Sequence, residues 1–279
     1  MEPSLVLLVL LAALLHASWN ALLKFPGDAL TKLALINLTG ALVMLPLLPW
    51  VAPPDPASWP FLLGSVAVHA LYYLCLVLAY REGDLSLVYP IARGVAPLLV
   101  AVGAWLVAGE SLSPSGMLAV LVISAGILTL GVSGWNRAPA GAVVFAFGTG
   151  VTIVCYTIID GLGARASGST LGYIAWLFAI DGVPISIAAF VLRRRMLTRT
   201  LKQSWAPGLA GGLCAITAYG VVIWAMTKAP MTYVSALRET SVVLAALIGT
   251  HVLREPLGLL RVSAAVVVAV GVAALQLAS

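Results

Sequence analysis

Nearly the whole chain is divided into apolar runs of about twenty residues, each long enough to cross bilayer hydrocarbon as a single helix. Read from one cluster of helix breakers to the next, ten runs are expected, over 3–23, 30–50, 58–80, 86–108, 114–132, 140–160, 171–192, 205–226, 232–253 and 258–277. The breakers include FPGD at 25–28, APPDP at 52–56, REGD at 81–84, SPSG at 113–116 and GWNRAP at 134–139. They continue with RASGST at 165–170, RRRMLTRTLK at 193–202, KAPM at 228–231 and REPLG at 254–258. Every connection is too short for a soluble domain. Within lipid each backbone N–H and C=O must find a partner inside the chain, so a helical bundle is the economical solution. The fold class expected is an all-α polytopic membrane protein.

Composition narrows the function. Of 279 residues, 62% are hydrophobic and 9% charged, against about 25% charged in soluble domains. The net charge of +5 does not indicate a nucleic-acid partner, because the basic residues cluster in one short segment without interleaved aromatics. Cys75, Cys155 and Cys214 lie inside apolar runs with no CxxC or Cys/His spacing, and read as buried structural thiols. His16, His69 and His251 lack paired-ligand spacing, so neither a metal nor a cofactor is expected. No GxxxxGK[ST] run occurs, which argues against direct ATP drive. The N-terminal run follows Glu2 and Pro3 rather than a positive segment, so it reads as a permanent span, not a secretion signal.

Lys and Arg in short connections set orientation. Arg193, Arg194, Arg195, Arg199 and Lys202 follow the seventh run, and Lys24, Lys32, Arg81, Arg137 and Arg254 lie at ends facing the same way. Arg165 and Lys228 face the other. The arginine-rich connection is therefore expected in the cytoplasm, with both termini outside.

Sliding 86–130 onto 231–275 places Arg93 on Arg238, Glu110 on Glu255, Leu112 on Leu257 and Gly126 on Gly271. Charged coincidences are rare in so apolar a chain. With five spans per half, the second half enters the membrane upside down. Residues 1–132 and 140–279, joined by a connecting loop at 133–139, are thus expected to form two inverted five-helix repeats (5+5) around a central cavity. Such repeats place a transported substrate near the bilayer midplane, where the halves meet.

The pattern resembles the drug/metabolite transporter (DMT) superfamily in its ten-helix EamA form. The resemblance rests on the duplication, on GESL at 109–112 and REPL at 254–257, and on HASWNALLK at 16–24. Within that superfamily the chain is similar to YddG-type bacterial amino-acid exporters. That similarity implies alternating access, a cavity between the halves and residence in the bacterial inner membrane. Relatives are usually drawn with cytoplasmic termini, the reverse of the loop charges, so sidedness stays open.

Arg93 lies in SLVYPIARGVAP, residues 86–97. An ionisable side chain at membrane depth costs at least about 2.5–3.5 kcal/mol on insertion scales and marks a functional site by default. Pro90 and Pro97 remove backbone donors around it, which predicts a discontinuous fourth helix beside the cavity. Arg238 and Glu239 in ALRETS point about 100° apart on a helix and can meet Arg93 near the repeat axis. An arginine there suits a substrate carboxylate, and Glu239 suits a substrate ammonium or a coupling proton. A structural Arg93–Glu239 ion pair is the alternative.

Trp19, Asn20, Tyr72, Tyr73, Tyr80, Tyr89, Tyr156, Tyr219 and Trp224 are candidates to line a cavity for partly apolar metabolites. Trp50, Trp59, Trp105, Trp135 and Trp205 read instead as interfacial belt residues. Asp181, beside Gly182 and Pro184, and Asp160, expected near a water-accessible helix end, are further candidates for coupling. Glu110 and Glu255 are expected to accept N–H groups at the starts of the following helices.

These readings converge on a secondary transporter exporting small metabolites, by resemblance aromatic or neutral amino acids. Its expected partners are the substrate, the bilayer and, as a candidate coupling ion, the proton, with no nucleic acid. Uptake and drug or other-metabolite transport stay open. So do an intramembrane enzyme, which would need His251 to converge with Ser124 or Ser241, and a non-transporting receptor or assembly subunit.

Overall fold

The computed structural model describes residues 2–23, 28–83, 85–135, 139–203, 205–251 and 259–278. Lys24, Arg137, Arg254 and Glu255 lie outside them, as does the side chain of His251. The helices are α1 Pro3–Leu23, α2 Ala29–Met44, α3 Trp59–Glu82, α4 Leu85–Ala108, α5 Pro114–Trp135 and α6 Ala140–Ala166. They continue with α7 Thr170–Gln203, α8 Trp205–Met226, α9 Met231–Arg238, α10 Thr240–His251 and α11 Leu259–Leu277. Among the described residues seven helical segments are long and apolar enough to cross a membrane, while Pro114–Leu130 and Val262–Leu277 are apolar but shorter. Large apolar side chains face outward: Leu7 is 68% exposed, Trp105 61% and Val191 71%. Lipid accepts such a surface and water does not. The chain is an integral membrane protein.

Helix ends follow from local chemistry. The Asp28 carboxylate accepts the Thr31 N–H at 3.0 Å and caps α2. Gly109 and Gly168 follow α4 and α6 in the left-handed region, at φ 66° and 62°, where glycine carries no Cβ penalty. The arginine-rich segment departs from the loop expected over 193–202. It is helical, continuing α7 past one non-helical residue, Arg193 (φ −139°, ψ 32°), whose guanidinium lies 3.6 Å from Asp28.

The largest correction concerns where a span is broken. Helix α4 is continuous through Pro90 and Pro97. Gly94 does not break it; a Cβ there would lie 2.7 Å from Leu128 Cγ, so the glycine permits close approach of α5. The ninth run, expected as one helix, is instead divided at Glu239 into α9 and α10. The Glu239 N–H turns back to the carbonyls of Ala236 and Leu237, and the Thr240 hydroxyl caps Leu237 O at 2.8 Å. The break occurs where no proline or glycine is present.

Packing is pairwise. α1 lies on α8 and α3 on α6; α2 pairs with α7 and α5 with α11; α4 contacts α5, α6 and α9, while α1 also meets α9 and α10, and α10 meets α11. Taking α9 and α10 as one span, exchanging each span for its counterpart five places along maps this set of contacts onto itself. The inner faces of α1, α3, α4, α6, α8 and α9 converge on one buried cluster. The thiols depart partly from expectation, since Cys155 is exposed while Cys75 and Cys214 are half-buried.

Gly182 sets the distance between α7 and α2, because a Cβ there would meet the Asn37 backbone oxygen at 2.7 Å and its carbonyl carbon at 3.0 Å. Gly182→Ala is therefore expected to destabilise the protein by about 1–3 kcal/mol through overpacking. Gly64→Ala, with nothing within 4 Å of the added Cβ, should be neutral or slightly stabilising. Thermal unfolding of the two variants in detergent checks the contrast.

Candidate functional site

Five ionisable side chains from four helices lie buried inside the bundle. Arg93 of α4 is 3% exposed, Arg238 of α9 2%, Glu239 0%, Asp160 of α6 0% and Asp181 of α7 5%. Arg93 Nε stands 2.9 Å from Glu239 Oε2, and Arg93 Nη2 reaches the Ser241 hydroxyl at 3.4 Å. Arg238 Nη2 donates to the Tyr156 hydroxyl at 3.4 Å, with its guanidinium over the Tyr219 ring at 5.8 Å. Of the three residues expected to come together, Arg93 and Glu239 meet as an ion pair, whereas Arg238 turns to Tyr156 and Tyr219. The contact is an ion pair without hydrogen-bond alignment: both Glu239 carboxylate oxygens, Arg93 Nε and Arg238 Nε have no aligned partner. Buried polar atoms left in this condition are costly unless a further group completes them.

Asp160 departs from the expected water-accessible helix end. Because α6 runs on to Ala166, the carboxylate is enclosed, accepting from Tyr173 at 3.0 Å and Tyr219 at 2.5 Å. Asp181 faces inward to α3, where His69 Nδ1 lies 3.2 Å from Oδ1 and the Tyr73 hydroxyl 3.0 Å from Oδ2. The His69 ring stacks on Tyr156 with centroids 4.3 Å apart, and Tyr72 meets Tyr156 edge-on at 5.7 Å. One aromatic layer thus joins the Asp181 side to the Arg238 side.

The remaining candidates are distributed around this centre. Trp19 Nε1 donates to His16 Nδ1 at 3.2 Å, and the charges of Arg93 and Arg238 both act on the His16 ring. The Asn20 amide donates to the His16 carbonyl of its own helix at 2.8 Å. Tyr89 lies within electrostatic reach of Arg93 and Glu239. Tyr80 lines a cavity of about 630 Å³ between α2, α3 and α7, with Tyr73, Asp28, Arg81 and Arg193. Trp224 lines a second, of about 620 Å³, at the opposite end of the bundle with Glu2, Lys228 and Tyr233. Neither is the central cavity expected from the sequence: Arg93, Arg238 and Glu239 line neither one.

Asn37, Ser65, His69 and Tyr173 belong to these networks and were not singled out as site residues from the sequence; Ser241, weighed there only as an enzyme's serine, and His16, one turn from Asn20, belong to them as well. A signal existed on α3, where Ser65, His69, Tyr72, Tyr73 and Tyr80 recur at helical spacing and share one flank. Glu110 does accept a helix-start N–H, but across the bundle: Met231 N at the head of α9, at 2.8 Å. Its other oxygen pairs with Arg165 Nη2 at 2.7 Å, and Arg165 also binds the carbonyls of Met226 and Ala229 at 2.8 and 3.1 Å. This knot closes the end of the bundle where α6 and α8 finish and α9 begins. Among the described residues no group of three His, Cys, Asp or Glu side chains is placed to hold a metal ion.

A model of the EamA-like transporter family matches residues 3–132 and 140–276. A solved structure titled "Crystal structure of protein" is similar over 99% of this chain and 98% of its own, with a TM-score of 0.75 at 18% identity, and shares the fold. No curated protein matches by sequence.

Removing one partner of a buried ion pair leaves the other charge uncompensated, at a cost of about 3–5 kcal/mol. Arg93→Met and Glu239→Met should each lower stability by that order. Arg93→Met combined with Glu239→Met should recover most of the loss, giving a large coupling in a double-mutant cycle measured by unfolding in detergent. Independent, small effects would mean that the two side chains do not form a pair.

Proposed function

The chain belongs to the EamA-like transporter family, a family of membrane transporters of small molecules, and on that premise we propose that it is a secondary exporter of neutral or aromatic amino acids in the bacterial inner membrane. The observation that carries this reading is the set of unpartnered atoms around Arg238 and Glu239. An α-amino acid presents a carboxylate and an ammonium on one carbon. Arg238 Nε is a free guanidinium donor for the first, and Glu239 Oε1 a free acceptor for the second. Tyr156, Tyr219 and Tyr72 supply apolar faces with polar tips, suited to a side chain such as that of phenylalanine.

Alternating access follows from the same geometry. The charged centre is enclosed, so substrate enters only when helices part. The symmetric packing set supports two inverted repeats, 1–132 and 140–279, rocking about the α2–α7 and α5–α11 pairs. The Glu110–Arg165–Met231 knot is the closure on one side. The cavity between α2, α3 and α7 is the approach from the arginine-rich side.

Proteoliposomes loaded with unlabelled phenylalanine should accumulate labelled phenylalanine by counterflow faster than protein-free vesicles. Losing one charge-assisted hydrogen bond, worth about 1.5–3 kcal/mol, should raise the half-saturation concentration more than tenfold in Arg238→Met. Counterflow absent for every amino acid tried, with a folded protein, would overturn the substrate assignment.

A further inference from the structure

The buried centre has an unequal number of charges. Arg93 and Arg238 supply two positive groups; Glu239, Asp160 and Asp181 supply three negative ones, all at most 5% exposed. A net buried charge is strongly disfavoured in a medium of low polarity, and binding one proton removes it.

Hydrogen-bond geometry offers a seat for that proton. The Asn37 amide nitrogen donates to Leu33 O at 2.9 Å, which turns its oxygen toward Tyr73. The Tyr73 hydroxyl stands 2.7 Å from that oxygen and 3.0 Å from Asp181 Oδ2. Both neighbours are acceptors if Asp181 is ionised, and a hydroxyl has a single hydrogen. With a proton on Asp181 Oδ2 the chain closes: Asp181 donates to Tyr73, and Tyr73 donates to Asn37. The other oxygen, Asp181 Oδ1, lies 3.2 Å from His69 Nδ1, close enough for the imidazole to be a second seat for the proton.

We propose that Asp181 and His69 form a proton-binding site that holds one exchangeable proton and couples its movement to transport. The coupling half of this inference rests on the exporter reading; the proton site does not. Tyr73 forms part of the wall of the cavity on the arginine-rich side, giving the proton a path between its site and that side. On the inner side His69 stacks on Tyr156, which receives the Arg238 hydrogen bond. The groups facing the imidazole are Asp181 on α7, Asp160 and Tyr156 on α6, Tyr219 on α8, Arg238 on α9, and Ser65, Tyr72 and Tyr73 on α3 itself. The α-amino acid is a zwitterion and brings no net charge, so coupling runs through the Arg238–Tyr156–His69 contacts that substrate binding disturbs, and exchange of proton for substrate drives export.

The first test needs no substrate. Infrared difference spectra of the full-length protein in lipid, recorded before and after exchange into heavy water, should show the isotope shift of a protonated-carboxyl C=O band. Asp181→Asn should abolish the band, Tyr73→Phe should shift it by removing its acceptor, and Asp160→Asn should retain it. A wild-type protein without the band, or a band that survives Asp181→Asn, overturns the site. The second test uses labelled phenylalanine in proteoliposomes with the membrane potential clamped at zero. One pH unit corresponds to about 1.36 kcal/mol per proton, so a one-unit gradient should sustain about tenfold accumulation, lost in Asp181→Asn. Phenylalanine movement indifferent to the gradient overturns the coupling and leaves the exporter reading intact. No movement at all overturns the substrate reading, and the infrared result then decides the proton site alone.

Discussion

The structure turns on the contact between Arg93 and Glu239, a charge pair held 2.9 Å apart in the interior of a bundle whose outer surface is apolar. Neither charge is tolerable there without the other. The two residues come from α4 and from the junction of α9 with α10, elements far apart in sequence. Their pairing therefore fixes the register of those two spans, and with it the placement of Arg238, Ser241 and Tyr156. The break at Glu239 matters for the same reason: by tightening the backbone it directs adjacent residues, Arg238 and Glu239, to different partners.

Around this contact the polar interior is laid out in layers. Tyr156 is the shared wall, touching Arg238 by its hydroxyl and His69 by its ring face. Asp160 is held by two tyrosines and Asp181 by a tyrosine and a histidine, so each carboxyl has aromatic neighbours that combine apolar bulk with a polar tip. The helix pairs α2 with α7 and α5 with α11 pack closely beside this interior. Glycines such as Gly182, placed where helices nearly touch, bring the backbones close enough for that. Stability and function draw on the same groups: unpartnered buried atoms are a liability in the resting protein and an opportunity for a ligand.

Much of this was legible in the sequence because lipid imposes a length. Runs of about twenty apolar residues locate spans directly, and α1, α8 and the start of α6 fall where such runs begin or end. Charge in an apolar background is equally informative, so Arg93, Arg238 and Glu239 stood out. Helix breaking was less legible. Proline in α4 suggested a gap, yet two prolines are accommodated within one helix, while the actual break falls at Glu239, where no proline or glycine stands. Asp160 was misjudged because helix length beyond the apolar core, through Leu162 and Ala166, cannot be read from hydropathy alone. His69, Asn37 and Tyr173 were missed because their roles depend on which helices face one another, and single-chain periodicity gives a face without its partner.

The central claim is that the enclosed Arg238–Glu239 centre is where substrate binds, and a structure of the protein with a bound amino acid tests it most directly. The account predicts the ligand carboxylate against Arg238 and its ammonium against Glu239 Oε1, with the side chain between Tyr156 and Tyr219. A ligand seated in either end cavity, with the Arg93–Glu239 contact unaltered and the centre still closed, would contradict it.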